Sequence, residues 1–230
     1  MASNGATRPS HQHDDDANYF EASAWQERYA GADSIWSGDP NPQLVAEASK
    51  LTPGTALDVG CGEGGDVIWL AQHGWHATGA DFSSNGLARA AQHAAAAGVA
   101  DRTDWWHVDA REFDARTRDG SAGTATVFDL VTTHFLHLPD GGMVDGVRRL
   151  AGAVAPGGHL LVVGHSPDGH FTELSGERRR AMFLAAELVP GLPDGFEALV
   201  VEQRPRTVVR DGQRYDIADS TLLARRVTAH

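Results

Sequence analysis

Cysteine is almost absent: Cys61 is the single thiol in 230 residues. No intrachain disulfide can form, and the chain is compatible with a reducing cytoplasm. No apolar run approaches the roughly 18 residues of a membrane-spanning helix. The opening segment "MASNGATRPSHQHDDD" has no apolar h-region and does not read as a secretory signal. Positive charge is also scarce, with 19 lysines and arginines against 31 aspartates and glutamates and a formal charge of −12. Such a field opposes non-specific binding to a phosphate backbone, so nucleic acid is not the expected partner. The one basic cluster, Arg178, Arg179 and Arg180 in "GERRRAM", fans around a helix and reads as solvated surface. His11 and His13 beside Asp14 to Asp16 lie in the polar tail, and no spacing in the chain matches a structural zinc site, so no metal is expected.

What is present suits one domain. The length and a hydrophobic content of 41% allow a single compact core. Residues 1–17 are polar and predict a disordered tail, leaving 18–230 as the domain. Within residues 18–50, an aromatic-rich helical stretch with Trp25 and Tyr29 four apart, and then a short helix after "SGDPNP", suit a lid. From residue 56 onward short apolar strands alternate with helices. The strands are 56–59, "WHATGAD", "RTDWWHVDA", 127–132 and "HLLVVGH"; the helices include "DVIWLAQHG", the alanine-rich "SSNGLARAAQHAAAAG" and "GMVDGVRRLAGAVAPGG", which Pro156 stops. This pattern predicts an α/β, Rossmann-like, mostly parallel sheet with helices on both faces. "GERRRAMFLAAELV" predicts one more helix. "FEALVVEQRPRTVV" and "STLLARRV" have no helix-length link between them, so they predict an antiparallel hairpin at the sheet edge.

The chemistry concentrates in "LDVGCGEGGDVIWLAQHGWHATGAD", residues 57–81. Strand, glycine-rich turn and helix let a backbone approach a ligand closely at a positive helix end. Gly60, Gly62 and Gly65 satisfy the dinucleotide pattern G-x-G-x-x-G, with Asp81 about twenty residues on. Three features point away from a dinucleotide. Asp58 sets a carboxylate just before the turn, where it suits an amine or cation and repels a pyrophosphate. The aromatic-rich segment before the first strand suits a lid. The closing hairpin does not continue a second mononucleotide-binding half.

On these residues the chain resembles the class I S-adenosylmethionine-dependent methyltransferases, over roughly residues 25–226. "LDVGCGEG" resembles their first motif, "FDLVTTHFLHLP" with Thr132 their fourth-strand motif, and "VAPGG" the turn before their fifth strand. The resemblance implies a seven-stranded sheet ending in an antiparallel hairpin and S-adenosyl-L-methionine as methyl donor. It further implies that the turn carrying Gly60, Cys61, Gly62 and Gly64 wraps the donor's methionine part, with Asp58 orienting its amino group. Asp81 would accept from the ribose hydroxyls, Phe82 would lie beside the adenine, and "HVDA" would read it through Asp109 and the backbone of Ala110. The segment "WQERYAGADSIWSGDPNP" is similar to small bacterial enzymes of the tellurite-resistance and thiopurine-methylating groups. That similarity implies that Trp25, Arg28, Tyr29 and Trp36 sit over the donor, Arg28 as a charged fork for its carboxylate.

Histidine suits proton removal near neutral pH, and open sheets place their sites at strand ends. His134 follows the fourth strand and His165 the fifth; both are candidate catalytic bases, with His137, Asp168 and His170 nearby. Phe135, Phe171, Met182 and Phe183 are candidates for an acceptor pocket or for core. The expected function is methyl transfer to a nitrogen, oxygen or sulfur atom of a small molecule, by a cytoplasmic monomer or homodimer. An NAD-dependent oxidoreductase and a non-catalytic S-adenosylmethionine-binding protein are the alternatives.

Overall fold

The computed structural model describes residues 20–31, 38–115, 126–168, 176–210 and 212–228. The expected tail, Trp36, His170 and Phe171 lie outside them. Two helices come first, α1 (Ala22–Gly31) and α2 (Pro42–Ala48). Asn41 caps α2 by accepting from the Gln43 amide, and Pro42 takes the first helical position, where no amide donor is needed. The alternating body follows as β1 (Thr55–Val59), α3 (Gly65–Gln72), β2 (His76–Asp81), α4 (Ser84–Ala96), β3 (Thr103–His107), β4 (Phe128–His134), α5 (Met143–Ala151) and β5 (Val154–His165). Short helices α6 (Gly176–Arg180) and α7 (Ala185–Leu188) precede the long hairpin of β6 (Phe196–Arg210) and β7 (Gln213–Arg226).

The seven strands form one sheet in the order β3-β2-β1-β4-β5-β7-β6. The first five run parallel, and β7 pairs antiparallel with both β5 and β6. Period-two alternation sorts the strand side chains into two cores. Leu160 and Val162 face one layer with Val147 and Leu150 of α5, whereas Leu161 and Val163 face the other with Leu44 of α2 and Val67 and Leu70 of α3. All nine are buried, each contributing about 1.5–3 kcal/mol of apolar burial. The chain order doubles back between β1 and β4, so their carboxyl ends open a crevice in the middle of the sheet.

Two local expectations are corrected. The single helix predicted over "GERRRAMFLAAELV" is broken between α6 and α7, because Ala181, Met182 and Phe183 turn inward and are buried. The Ser220 hydroxyl donates to the Phe183 carbonyl at 2.6 Å, giving the broken backbone a partner. Phe183 packs so closely over Gly164 that a Cβ there would lie 2.3 Å from its ring. The helix predicted to reach Pro156 ends instead at Ala151, and β5 starts at Val154. Phe128 pairs with Val154 and Leu130 with His159, so the proline–glycine run falls in a register shift where pairing is interrupted.

Candidate functional site

The crevice between β1 and β4 opens into a cavity of about 730 Å³. Its floor is the glycine turn. Gly60, Gly62 and Gly64 have φ of 82°, 53° and 83°, a region that favours glycine. The turn is tied to β2: the Gly60 and Cys61 amides both donate to the Ala80 carbonyl, at 2.7 and 3.1 Å. The Asp81 carboxylate caps it from the side, Oδ2 accepting from the Gly62 amide at 2.9 Å and Oδ1 from the Ser83 amide at 2.8 Å. Burial raises the Asp81 carboxyl above the usual range, and these two amides oppose the rise. Cys61 also lines the cavity. Burial, then the charges of Asp81 and Asp58, push its thiol up, so it stays protonated and is no nucleophile.

Among the residues expected at the donor, Trp25, Tyr29, Gly60 and Gly62 line the cavity together with Asp81, Phe82, Asp109 and Ala110. Arg28 does not; its guanidinium lies 4.8 Å over the Trp25 ring. Helix α1 is anchored to the start of α4 through Gln26, whose side-chain oxygen accepts from the Ser83 hydroxyl at 3.0 Å. Asp109 is gripped by Arg111, whose Nε and Nη2 donate to Oδ2 at 3.0 and 2.7 Å. Burial works to raise the Asp109 carboxyl, but Arg111 outweighs it and holds it low.

Asp58 and Thr132 stand behind the cavity wall. The Thr132 hydroxyl donates to Asp58 Oδ1 at 2.9 Å, and both residues are buried. In front of them His134 is wedged between two carboxylates: Nδ1 lies 2.9 Å from Asp66 Oδ2 and 3.4 Å from Asp58 Oδ1. Neither contact has the alignment of a hydrogen bond, and Nε2 is buried with no partner among the described residues. Burial alone would lower the His134 pKa; the two aspartates overcome it and raise it to about 10. Asp66 is correspondingly held below the usual carboxylate range, against the opposing effect of burial, and its Oδ1 accepts from the Asn41 amide at 2.6 Å. Burial dominates at Asp58 and raises its carboxyl despite His134. Among the described residues, Asp58, Asp66 and His134 are also the group whose ligand atoms could meet at a metal, within 4.8 Å of one another. The imidazolium already supplies positive charge there.

The other end of the cavity is built from rings. Phe135 stacks on His165 at 4.4 Å, His165 on His137 at 5.4 Å, and Phe183 tilts against His137 at 5.7 Å. His137 has both nitrogens engaged: Nδ1–H donates to the Phe135 carbonyl at 3.0 Å, and Nε2 accepts from the His165 amide at 3.1 Å. Burial drives its pKa down to about 4, so it is a neutral structural ring. His165 itself lines the cavity. Phe135 has φ of 55°, a left-handed conformation rare for an aromatic residue and stabilised by its place in this stack.

Asp66, Arg111 and Arg206 are among the cavity residues that carried no expectation in the sequence. Asp66 and Arg111 had a weak signal, as an acid in the first turn of a helix and a base two residues from Asp109. Arg206 had none, being one arginine among several in an extended edge segment.

Residues 56–158 match a family described as "Methyltransferase domain". Over 129 residues the chain is 33% identical to the ubiquinone biosynthesis O-methyltransferase of Marinobacter nauticus, covering 54% of this chain and 50% of that one. The chain spans half or less of the curated relatives it matches. In three dimensions it is similar to a protein solved in work on the conversion of a disulfide bond into a thioacetal group during echinomycin biosynthesis. That match has a TM-score of 0.69 and 23% identity, covering 93% of this chain and 92% of the other. The N-methyltransferase NodS of Bradyrhizobium japonicum, solved with S-adenosyl-L-homocysteine, matches with a TM-score of 0.59 and 22% identity over 87% of this chain and 98% of that one. The fold is that of the class I S-adenosylmethionine-dependent methyltransferases.

Proposed function

We propose that this chain transfers a methyl group from S-adenosyl-L-methionine to a nitrogen, oxygen or sulfur atom of a small molecule. The observation that carries the reading is one cavity, at the sheet's switch point, joining a left-handed glycine turn and the Asp81 carboxylate to a histidine-bearing ring wall. The match of residues 56–158 to a methyltransferase domain supports it, as does an O-methyltransferase among the relatives.

The donor groups of the cavity fit such a ligand. Glycine backbone admits close approach, the carboxylates suit an ammonium and ribose hydroxyls, and the unpartnered His134 Nε2–H suits a carboxylate oxygen. Gly60, Cys61 and Gly62 would hold the methionine part, with Asp58 and Thr132 behind it. Asp81 would hold the ribose, and Phe82, Asp109 and Ala110 the adenine. Trp25 and Tyr29 of α1 would cover the donor, with Arg28 held over the Trp25 ring outside the cavity lining, and Trp36 follows in the same segment; this is the basis for the narrower likeness to the tellurite-resistance and thiopurine-methylating enzymes. When bound, S-adenosyl-L-methionine supplies a sulfonium methyl that is electrophilic without acid assistance.

The protein's own work is then to align the acceptor, exclude water and, where needed, take a proton. A general base must be neutral near the working pH. His134, with its pKa raised to about 10, is an imidazolium at neutral pH and serves as a charged donor between Asp58 and Asp66. His165, which lines the cavity outside that acidic clasp, takes the base role for acceptors that need one. A small-molecule acceptor and a cytoplasmic monomer or homodimer belong to the same proposal. Among the described residues no helix is long and apolar enough to cross a membrane. Calorimetric titration with S-adenosyl-L-methionine, its demethylated product and NAD tests the reading: binding of the first two is expected, and binding of NAD instead refutes it.

A further inference from the structure

The sheet itself sets the distance between the two ends of the cavity. Asp81 ends β2, while His165 ends β5, three strands away across β1 and β4. At about 4.8 Å per strand, the ring wall stands roughly 14 Å from the ribose-side carboxylate. Next to that wall come β7 and β6, which bring Asp219 and Arg206. His165 is the register partner of Asp219, and Arg206 reaches back from β6 to the same carboxylate, Nε to Oδ2 at 2.7 Å.

Arg206 is held on two sides. Asp219 is fully buried and fixes the Nε edge, while the guanidinium carbon lies 5.5 Å over the Phe135 ring. Gln43 of α2 adds a long contact to the same Asp219 oxygen, Nε2 to Oδ2 at 3.4 Å. The two terminal nitrogens of Arg206 have no hydrogen-bond or ion-pair partner among the described residues, and its side chain lines the cavity. The neighbouring cations differ. Arg204 is consumed by Glu47, Glu202 and Gln43, and Arg111 spends Nε and Nη2 on Asp109. Arg206 is therefore the lining cation with a preorganised and unused fork, the geometry that pairs bidentately with a carboxylate.

We propose that Arg206 is the recognition residue for the methyl acceptor, and that the acceptor carries a carboxylate on an apolar body. The apolar body follows from the lining, which sets the Phe135 ring under the guanidinium and includes Leu136 and Leu138 elsewhere in the cavity. A carboxylate is favoured over a dianion because the two terminal nitrogens of Arg206 match two carboxylate oxygens, and the ion pair with Asp219 leaves the guanidinium little net charge to give. A phosphate dianion would be under-compensated. The proposal rests on the methyl-transfer reading, from which it takes the orientation of donor and acceptor ends.

The test compares matched acid and amide pairs on the protein with and without saturating S-adenosyl-L-homocysteine: 3,4-dihydroxybenzoate, indole-3-acetate and hexanoate, each against its amide, with phenyl phosphate as a further arm. Calorimetry is expected to show at least one acid binding about ten-fold or more tightly than its amide and more tightly than phenyl phosphate. Arg206→Gln is expected to erase the preference and Arg206→Lys to retain part of it, with S-adenosyl-L-homocysteine affinity changing less than about two-fold in both. Equal affinities for acids and amides, no binding of any acid, or a preference that survives Arg206→Gln overturns the proposal, and tighter binding of phenyl phosphate overturns the carboxylate assignment. The S-adenosyl-L-homocysteine titration is read separately, so failure of the donor reading is distinguished from failure of the Arg206 assignment.

Discussion

Replacing Asp66 by asparagine isolates the charge that holds His134. The amide keeps the shape, and its oxygen still accepts from the Asn41 amide, so the change is confined to the carboxylate oxygen 2.9 Å from His134 Nδ1. Breaking a buried ion pair by removing one partner costs about 3–5 kcal/mol. Asp58 remains 3.4 Å from the same nitrogen and keeps part of the pairing, so a loss below that range, about 2–3 kcal/mol, is expected. At about 2–4 °C per kcal/mol for a chain of this size, the melting temperature should fall by about 4–12 °C. The pH dependence has a defined sign. The folded-state pKa of His134, about 10, lies above its unfolded value near 6.5. Its contribution is thus complete below pH of about 6.5 and is lost as the pH rises through about 10. Asp66 is depressed in the fold, so its contribution is present above its unfolded value near 3.9 and is lost as the pH falls through the lower folded one. The stability gap between wild type and Asp66→Asn should therefore be widest between about pH 4 and 6.5 and close on both sides. Calorimetric melts across pH, with an NMR titration of the labelled His134 ring, measure this. A wild-type ring that titrates near 6.5, or an equally stable variant at pH 6, refutes the reasoning.

Asp81→Asn should weaken binding of S-adenosyl-L-methionine about 10- to 100-fold, the value of a hydrogen bond to a charged group; an unchanged calorimetric affinity removes Asp81 from the donor site. His165→Ala should lower turnover of a proton-bearing acceptor by about 10²–10⁴ while donor affinity holds. Its rate–pH profile should lose a limb that the wild type shows, and an unchanged profile dismisses the base role. Gly64→Ala places a Cβ 2.7 Å from the Trp105 ring at a φ of 83°. The left-handed backbone and the overpacking together should cost about 2–4 kcal/mol, and a urea midpoint equal to wild type contradicts that estimate.

The parts of the molecule legible in the sequence are those governed by local rules. The parallel strands announce themselves as short apolar runs, because a sheet covered on both faces buries every residue of its central strands. The glycine turn is legible because three of its positions need left-handed backbone, which few other residues supply. The two misjudged helices show the limit. Periodicity across residues 176–189 is helical, yet the pull of Phe183 into the space over Gly164 breaks the helix, and that space exists only once β5 and β7 have paired.

The site divides in the same way. Asp58, Gly60, Gly62 and Asp81 lie within one strand–turn–helix–strand unit, so their spacing along the chain already constrains their spacing in space. Sequence alone also determined that no disulfide stabilises the fold and that acidic charge prevails. Only tertiary structure decided that His134 would be an imidazolium, since one of its two aspartates arrives from the helix after β1 and the other from the end of β1 itself. Only pairing at the far edge of the sheet brought Arg206, over seventy positions further along the chain, against the Phe135 ring. Protonation and recognition depend on distances of a few ångströms between groups remote in sequence, and those distances are set by the order in which strands meet.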